Sequence, residues 1–522
     1  MTDSAAWRVS MNEPASTSAN QRTGDSRFFS TGHLNHNLKT TSLRGGLITF
    51  TTQIIKLFLQ TASTMILARL LTPQDFGLIA MVASVTGFIL IFKDLGLSMA
   101  TIQKDNVTHE QISTLFWINV VLSILLLLIT MALSPLVAWF YRDPRLTAVT
   151  IALAGGFILS GLTVQHQSLL SRQMRFKTLA FIEILSLLAG IVTALACSWF
   201  GLKYWSLVFM NLAIVTASMI GSWIACGWRP GWPRKGTGVR PMIAFGGHLT
   251  AFNLINYFAR NLDNILIGRF WGSLQVGLYS KAYSMLLLPL TQITVPMANV
   301  AIPTLSRLQH DPERYRRFYL KAVKLIAYVA VPLVVMMIIL SKEMVLLVLG
   351  DQWRGAVPIF RILAICAFFQ PIGSTVGWIY ISLGQTKRMA KWGMFACPII
   401  CLFIVLGLQW GAIGVAASYS IAIMILFYPQ FSMALRHSPI QNTMFFGIIF
   451  KPVMLGLLLA MPLMIVKFVF SSLSLIGIVS LEVLCMLILL PLIAYFVNPI
   501  KKDIGEIIVL AKSLLVGTEN HG

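Results

Sequence analysis

Residues 392–435 read WGMFACPIICLFIVLGLQWGAIGVAASYSIAIMILFYPQFSMAL and contain no charged side chain. A helix needs about 20 apolar residues to cross the hydrocarbon core of a bilayer. These 44 residues are therefore long enough for two spans, and the glycine-flanked segment at 407–411 supplies the turn between them. Residues 111–141 form another charge-free run. Both stretches predict helices that cross a membrane.

The whole chain has the composition of a multi-pass membrane protein. Of its 522 residues, 57% are hydrophobic and 11% are charged, whereas about 25% of residues are charged in soluble domains. This composition excludes an ordinary soluble enzyme, a disordered protein and a secreted disulfide scaffold. The 6 cysteines show neither disulfide nor metal-binding spacing, and we interpret them as small packing residues.

The same test along the whole chain predicts fourteen spans in an all-α fold. They lie near residues 47–70, 76–97, 112–139, 146–168, 178–200, 203–226, 241–266, 276–302, 320–341, 357–382, 389–408, 411–435, 447–470 and 474–497.

The basic residues predict the orientation. With the N-terminus inside, 25 of the 40 Lys and Arg residues fall in inside segments, 7 fall outside and 8 fall within spans. Positive residues concentrate in cytoplasmic segments, so both termini are predicted to be cytoplasmic. Most of the net charge of +22 then reflects topology. Because the charge is spread over many loops, it does not indicate a nucleic-acid partner.

A weak internal repeat predicts two lobes. Residues 66–69 (ILAR), followed by Gly77, recur 200 positions later as residues 266–269 (LIGR), followed by Gly277. Further matches continue in order at offsets of 207 to 213, for example Leu133-Ser134 with Leu340-Ser341. Such repeats are common in transporters that work by alternating access.

We therefore predict two parallel six-helix lobes around a central cavity, plus two C-terminal helices. The predicted segments are a disordered cytoplasmic tail at 1–43, an N-lobe at 44–228, a C-lobe at 229–436, spans 13 and 14 at 437–498 and a cytoplasmic amphipathic tail at 499–522.

Charges inside the membrane need a reason, since each costs about 2.5–3.5 kcal/mol on insertion scales. The predicted spans hold eight basic and four acidic residues. Four of the basic residues lie close enough to span ends to reach the lipid headgroups. They are Lys93, Lys324, Lys451 and Lys467.

The first candidate binding residues lie on span 1. Lys56 falls near its middle, and Gln53 and Gln60 share its helical face because they are three residues before and four residues after it. This polar face must line a cavity or pack on another helix.

The second repeat supplies the other binding candidates. Arg260, Lys281 and Arg361 are all predicted in the outer half of the membrane, and Asn256 and Tyr257 lie on the same helix as Arg260. Cations around a shared cavity would attract an anionic group such as a pyrophosphate, which arginine can bind with two hydrogen bonds. Pairing of Arg260 with an acidic residue three positions later, Asp263, is the alternative.

Three carboxylates within spans are candidates for coupling transport to an ion. They are Glu183, Asp263 and Glu482. Intramembrane acidic residues often carry protons or ions in transporters. For Glu183, a structural ion pair is an equally open interpretation.

Catalytic patterns are missing from the sequence. There is no Walker loop, no His-Glu-x-x-His motif and no Asp-x-Asp pair, and no loop between predicted spans exceeds about 20 residues. The sequence therefore predicts no catalytic site, metal or cofactor.

Several segments resemble one transporter family. Residues 66–77 (ILARLLTPQDFG) resemble the LAR-L-x-P-x-x-FG segment of the polysaccharide transporter family in the MOP exporter superfamily. Residues 94–103 (DLGLSMATIQ) resemble its D-x-G-x-x-x-A-x-I-Q segment, and residues 349–353 (LGDQW) are also similar. The resemblance covers about residues 44–500 and is strongest to the WzxC-like colanic-acid branch.

The resemblance implies a flippase. Such proteins move undecaprenyl-pyrophosphate-linked oligosaccharide repeat units across the bacterial inner membrane for exopolysaccharide or lipopolysaccharide synthesis. They work beside a polymerase and a chain-length regulator. Two alternatives stay open: a cation-coupled multidrug exporter of the same broad fold, and a membrane glycosyltransferase or polymerase.

Overall fold

All regular elements of the described chain are helices. The computed structural model describes residues 38–90, 97–103, 107–234 and 240–496. The helices, numbered in chain order, are α1 (Leu38–Leu70), α2 (Pro73–Leu90), α3 (Leu97–Gln103), α4 (His109–Tyr141), α5 (Arg145–Arg172), α6 (Phe176–Trp199), α7 (Trp205–Cys226), α8 (Arg240–Arg307), α9 (Pro312–Ile339), α10 (Ser341–Leu349), α11 (Ala356–Ala367), α12 (Gln370–Ser374), α13 (Val376–Ser382), α14 (Thr386–Gly407), α15 (Gly411–Leu435), α16 (Asn442–Val469) and α17 (Leu475–Phe496).

A helix overlaps each of the fourteen predicted spans. By length and apolar composition, nine helical stretches of the described residues can cross a membrane, or ten if the bent pair Ala356–Ala367 and Gln370–Ser382 is one span. Two of the nine, Asn261–Arg307 and Thr386–Leu435, are 47 and 50 residues long. The second contains two predicted spans, 389–408 and 411–435, whereas the first contains the span 276–302 and the end of the span 241–266. The helices thus confirm the fold class, and the count of fourteen stays a prediction.

The chain ends lie partly outside the described residues. Helix α1 begins at Leu38, so the last residues of the predicted tail at 1–43 are helical. The predicted tail at 499–522 lies outside the described residues.

Local sequence sets the helix ends. The Thr108 hydroxyl accepts a hydrogen bond from the Gln111 backbone N–H, and the Gln111 side chain accepts one from the Thr108 N–H, which caps α4. Asp311 caps α9 in a similar way, with Pro312 at its first position. Gly272 has a non-helical backbone conformation, with φ 78°, and divides α8 into two arms. A residue with a side chain rarely adopts this angle, which explains the glycine at this position.

Among the described residues, the two lobes share a buried apolar core at one end. We call outer the end with the turns at 71–72, 142–144 and 271–272, following the predicted topology. The largest cluster of buried apolar residues lies there and joins both lobes. At the inner end the N-lobe and the C-lobe have separate clusters. The lobes are therefore closed against each other on the outer side.

Backbone contacts between glycines make this outer seal. A Cβ atom on Gly77 would lie 1.7 Å from the carbonyl oxygen of Ser273, and one on Gly277 would lie 1.8 Å from that of Pro73. Only glycine allows the two helix starts to approach so closely. In addition, the Trp353 indole N–H donates to the Ala68 carbonyl at 2.8 Å.

The seal is flanked by two arginines at equivalent positions of the repeat. Arg69 Nη2 donates to the Leu347 carbonyl at 3.0 Å. Arg269 lies over the Phe140 ring, 5.5 Å from its centroid. The partners are also equivalent, because Leu347 lies 207 residues after Phe140. The nearby match of Leu133-Ser134 with Leu340-Ser341 has the same offset. The outer contacts are therefore related by an approximate two-fold symmetry.

We expect Gly77→Ala to lower the melting temperature of the purified protein in detergent. The new methyl group must push the lobes apart, and overpacking costs about 1–3 kcal/mol. Gly155→Ala is the matched control, since a Cβ there meets nothing within 4 Å and alanine favours a helix. Equal melting temperatures for the two variants would contradict the backbone seal.

Candidate functional site

A cavity of about 540 Å³ lies between the two lobes, directly beneath the outer seal. Helices α1, α2, α6 and α7 line it from the N-lobe, and α8, α9 and α10 line it from the C-lobe. Its polar groups include Gln60, Asn211, Lys281 and Ser284. A central cavity that both lobes build is the arrangement expected for alternating access.

Lys281 is the cation of this cavity. Its Nζ lies 4.2 Å from the centroid of the Phe76 ring, on the opposite lobe. Within the described part of the chain, no carboxylate forms a salt bridge with it. A ring face attracts an ammonium group without neutralising its charge. Lys281 can therefore still bind an anion.

Lys56 has a protein partner. Its Nζ donates to Glu183 Oε2 at 2.9 Å, which ties α1 to α6. The two side chains are 25% and 46% exposed. The binding candidate and the coupling candidate thus form one ion pair, the structural interpretation left open for Glu183.

The glutamines of α1 lie on either side of this pair. Gln60, one turn nearer the outer end, is exposed and lines the central cavity. Gln53, nearly one turn nearer the inner end, is also exposed. The polar face of α1 therefore leads along the helix to the cavity.

Tyr257 bridges the lobes on the first arm of α8. Its hydroxyl donates to the carbonyls of Ala83 and Ser84 at 2.9 and 3.0 Å. The side chains of Asn256 and Arg260 lie outside the described part of the structure. Their predicted roles stay predictions.

Asp263 is buried and accepts two hydrogen bonds. Tyr279 Oη donates to its Oδ2 at 2.9 Å, and the Asn264 backbone N–H donates to its Oδ1 at 2.7 Å. Its described partners are thus neutral groups. The alternative of pairing with Arg260 involves a side chain outside the described residues.

Arg361 lines a different cavity. This second cavity, of about 820 Å³, lies between α9, α11, α15 and α16 and is mostly apolar. Arg361 Nε donates to Ser341 Oγ at 2.9 Å. The expectation that Arg361 and Lys281 share one cavity is therefore wrong in this structure, because α11 presents Arg361 toward α16 rather than toward α1.

Lys467 also lines the second cavity, where it meets an acidic side chain. Its Nζ lies 2.8 Å from Glu343 Oε2 and also donates to the Ile339 carbonyl. The expectation that Lys467 reaches the headgroups is thus replaced by an ion pair within the protein. Glu482, on α17, is fully buried near this pair, and neither of its oxygens has a hydrogen-bond partner among the described residues.

Sequence reasoning missed Phe76, Asn211 and Glu343. Phe76 belongs to the family-like segment 66–77, which gave no sign of a contact with Lys281, 205 residues away. Asn211 could have been predicted to line a cavity, because a lone amide in an apolar span needs a polar partner or a cavity. In the described part of the chain no group of three or more His, Cys, Asp or Glu residues could hold a metal ion.

Comparisons with known proteins agree with this architecture. The chain is 28% identical over 345 residues to the teichuronic acid biosynthesis protein TuaB of Bacillus subtilis, covering 66% of this chain and 71% of that protein. It is 25% identical over 362 residues to the lipopolysaccharide biosynthesis protein WzxC of Escherichia coli, covering 68% and 73%.

Two solved structures show the same fold. The lipid II flippase MurJ in an inward closed conformation aligns with a TM-score of 0.65 at 14% identity, covering 85% of this chain and 97% of that one. An inward-facing MATE family multidrug resistance transporter of the MOP superfamily aligns with a TM-score of 0.56 at 15% identity, covering 73% and 93%.

The family assignment rests on the sequence itself. A family model described as polysaccharide biosynthesis protein matches residues 66–358, more than half of the chain, and this range includes the outer seal and both arms of α8. This multi-span membrane protein with a MurJ-like fold therefore belongs to the polysaccharide biosynthesis protein family.

Proposed function

We propose that this protein is a flippase that moves undecaprenyl-pyrophosphate-linked oligosaccharide repeat units across the bacterial inner membrane. It would do so by alternating access, for exopolysaccharide or lipopolysaccharide synthesis, with both termini in the cytoplasm. The observation that carries the proposal is the unneutralised Lys281 in a cavity between the lobes. Family membership supports a role in polysaccharide synthesis.

In this proposal the central cavity holds the polar part of the substrate. Lys281 binds the pyrophosphate, and Gln53 and Gln60 offer hydrogen bonds to sugar hydroxyls. The prenyl chain stays in the lipid, since a glycan and a pyrophosphate cannot cross hydrocarbon unaided. The seal above the cavity keeps the outer side closed while the inner side loads.

The remaining candidates take part at other stages. Tyr257 holds the lobes together here through backbone carbonyls, so opening frees its hydroxyl for the glycan. Asn256 and Arg260 share its helix arm and would be exposed by the same movement. Lys56 and Arg361 each have a protein partner in this state and would contribute after those contacts break.

A multidrug exporter is the second candidate, because the MATE neighbour shares the fold. Exporters of cationic drugs would need acidic cavities, whereas the charged side chain of the central cavity is a lysine. A drug-susceptibility panel on a deletion strain separates the two candidates. Sugar transfer by the purified protein in vitro would instead support the glycosyltransferase alternative.

Deleting the gene should stop export of the surface polysaccharide and leave its lipid-linked repeat unit on the cytoplasmic leaflet. Extraction of lipid-linked saccharides and staining of surface polymer measure both effects. Unchanged polymer with no precursor accumulation, in a strain without a second flippase of this family, contradicts the proposal. A polymerase and a chain-length regulator are the expected partners, and genes for them beside this one would support it.

Lys281→Met should abolish complementation of the deletion strain, whereas Lys281→Arg should retain most of it because the cation is kept. Lys387→Met is the matched control, since Lys387 is an exposed residue at the start of α14, away from the cavity. Membrane levels of each variant are measured by immunoblot. Full export by Lys281→Met at normal protein levels would show that Lys281 is not needed for substrate binding.

The Lys56–Glu183 pair allows structure and binding to be separated. Each single variant, Lys56→Met or Glu183→Gln, should lower the melting temperature more than the double variant does, because a single change leaves one charge alone. The coupling should be about 1 kcal/mol or less, since both groups are partly exposed. If Lys56 binds substrate, the double variant folds but fails to export. Normal export by the double variant would limit the pair to a structural role.

A further inference from the structure

Helix α10 is held by cations from three other helices. Arg361 of α11 donates to Ser341 Oγ at 2.9 Å, and Lys467 of α16 lies 2.8 Å from Glu343 Oε2. Arg69 of α1 donates to the Leu347 carbonyl at 3.0 Å. The first two contacts anchor α10 to the C-terminal helices, and the third ties it to the N-lobe beside the outer seal. Any change at Glu343 therefore acts on a helix that belongs to the seal.

Glu482 lies near this anchor and has no hydrogen-bond partner among the described residues. Its side chain is 0% exposed, and both carboxylate oxygens lack a hydrogen-bond donor among the described residues. The side chains packed around this part of α16 and α17 are largely apolar, including Leu463, Met486 and Leu489. An ionised carboxylate in such surroundings is strongly disfavoured unless a positive group neutralises it.

The local charges do not supply that positive group. Lys467 and Glu343 are the charged groups that act on Glu482 electrostatically. Lys467 is already bonded to Glu343, so one cation serves two carboxylates. Arg361 of α11 is bonded to Ser341, and Lys342 of α10 is exposed. One positive charge is therefore missing at Glu482.

A proton can neutralise Glu482 more readily than a metal cation can. Metal ions require several oxygen ligands around them, and the described residues near Glu482 provide neither a group of three ligating side chains nor a hydroxyl bonded to its oxygens. A proton needs the carboxylate alone.

We propose that Glu482 is a proton-binding site that controls the outer seal. In the closed state described here, Glu482 is the neutral acid and Lys467 holds Glu343. When the Glu482 carboxyl group gives its proton to water, the new carboxylate competes with Glu343 for the Lys467 ammonium group. The Glu343 contact weakens, α10 loses one of its anchors, and the outer seal opens more readily. The proposal rests on the alternating access proposed above, but it does not depend on the nature of the substrate.

Opening of the seal can be measured by cysteine labelling from outside. Ser284 is exposed in the central cavity, and a Ser284→Cys side chain should react with a membrane-impermeant maleimide only when the outer side opens. Phe200→Cys, at an exposed outer turn, provides the reference rate, which corrects for the effect of pH on the reagent. The chain without either cysteine gives the background of the native thiols.

We expect the corrected Ser284→Cys labelling of intact cells to rise with external pH. The slope should not exceed about tenfold per pH unit, because a single proton is released. Glu482→Gln, which mimics the neutral acid, should stay at the low rate at every pH. Glu343→Gln, which removes the anchor without touching Glu482, should label fast at every pH. Glu313→Gln, an exposed carboxylate at the inner end, should behave like the unaltered chain.

Two outcomes overturn the proposal: a flat pH profile in the unaltered chain, or a rise with pH that persists in Glu482→Gln. Failure of Phe200→Cys to react from outside would instead overturn the assumed topology, and with it the outward direction of the seal. Since the assay contains no requirement for a glycan, labelling as expected in a protein that fails the export test would refute only the substrate assignment.

Discussion

The close approach of two backbone segments at Gly77 and Gly277 determines how the rest of this protein is arranged. Each glycine lies against a carbonyl of the other lobe, that of Ser273 or that of Pro73. Because no side chain separates them, the outer ends of both lobes merge into one apolar core, while the inner ends keep separate cores. The central cavity lies directly beneath this shared core and is lined by both lobes. Lys281 therefore lies beneath the outer seal, as the proposed alternating access would require of a state that loads from the inner side.

Most of the charged candidate residues within the predicted spans have a protein partner. Lys56 is matched by Glu183, Lys467 by Glu343, and Asp263 by the Tyr279 hydroxyl. Each of these contacts joins separate helices or the two arms of α8, so it stabilises packing while it satisfies a charge that lipid cannot solvate. Among the candidates whose side chains are described, Lys281 and Glu482 depart from this pattern. Lys281 has an aromatic ring as its neighbour, and Glu482 has no hydrogen-bond donor among the described residues. We propose that Lys281 binds the substrate and that Glu482 binds a proton.

Sequence predicted the fold well and the site only in part. Charge-free stretches such as 392–435 locate helices because the bilayer imposes length and polarity on every span. Helical spacing also placed Gln53, Lys56 and Gln60 on one face. Spacing does not state which distant helix packs there, so neither the Lys56–Glu183 pair, 127 residues apart, nor the separation of Arg361 from Lys281 could be foreseen. Family resemblance suggested the proposed function but no individual contact.

The two-fold relation of the outer contacts has an evolutionary consequence. Arg69 at Leu347 and Arg269 at Phe140 flank the outer seal. The seal consists of glycine-to-carbonyl main-chain contacts, which do not depend on which side chains line the cavity. Exchanging the side chains that line the cavity would therefore leave the outer seal intact. We expect a change of substrate in such a protein to require new cavity-lining side chains and no change at Gly77 and Gly277.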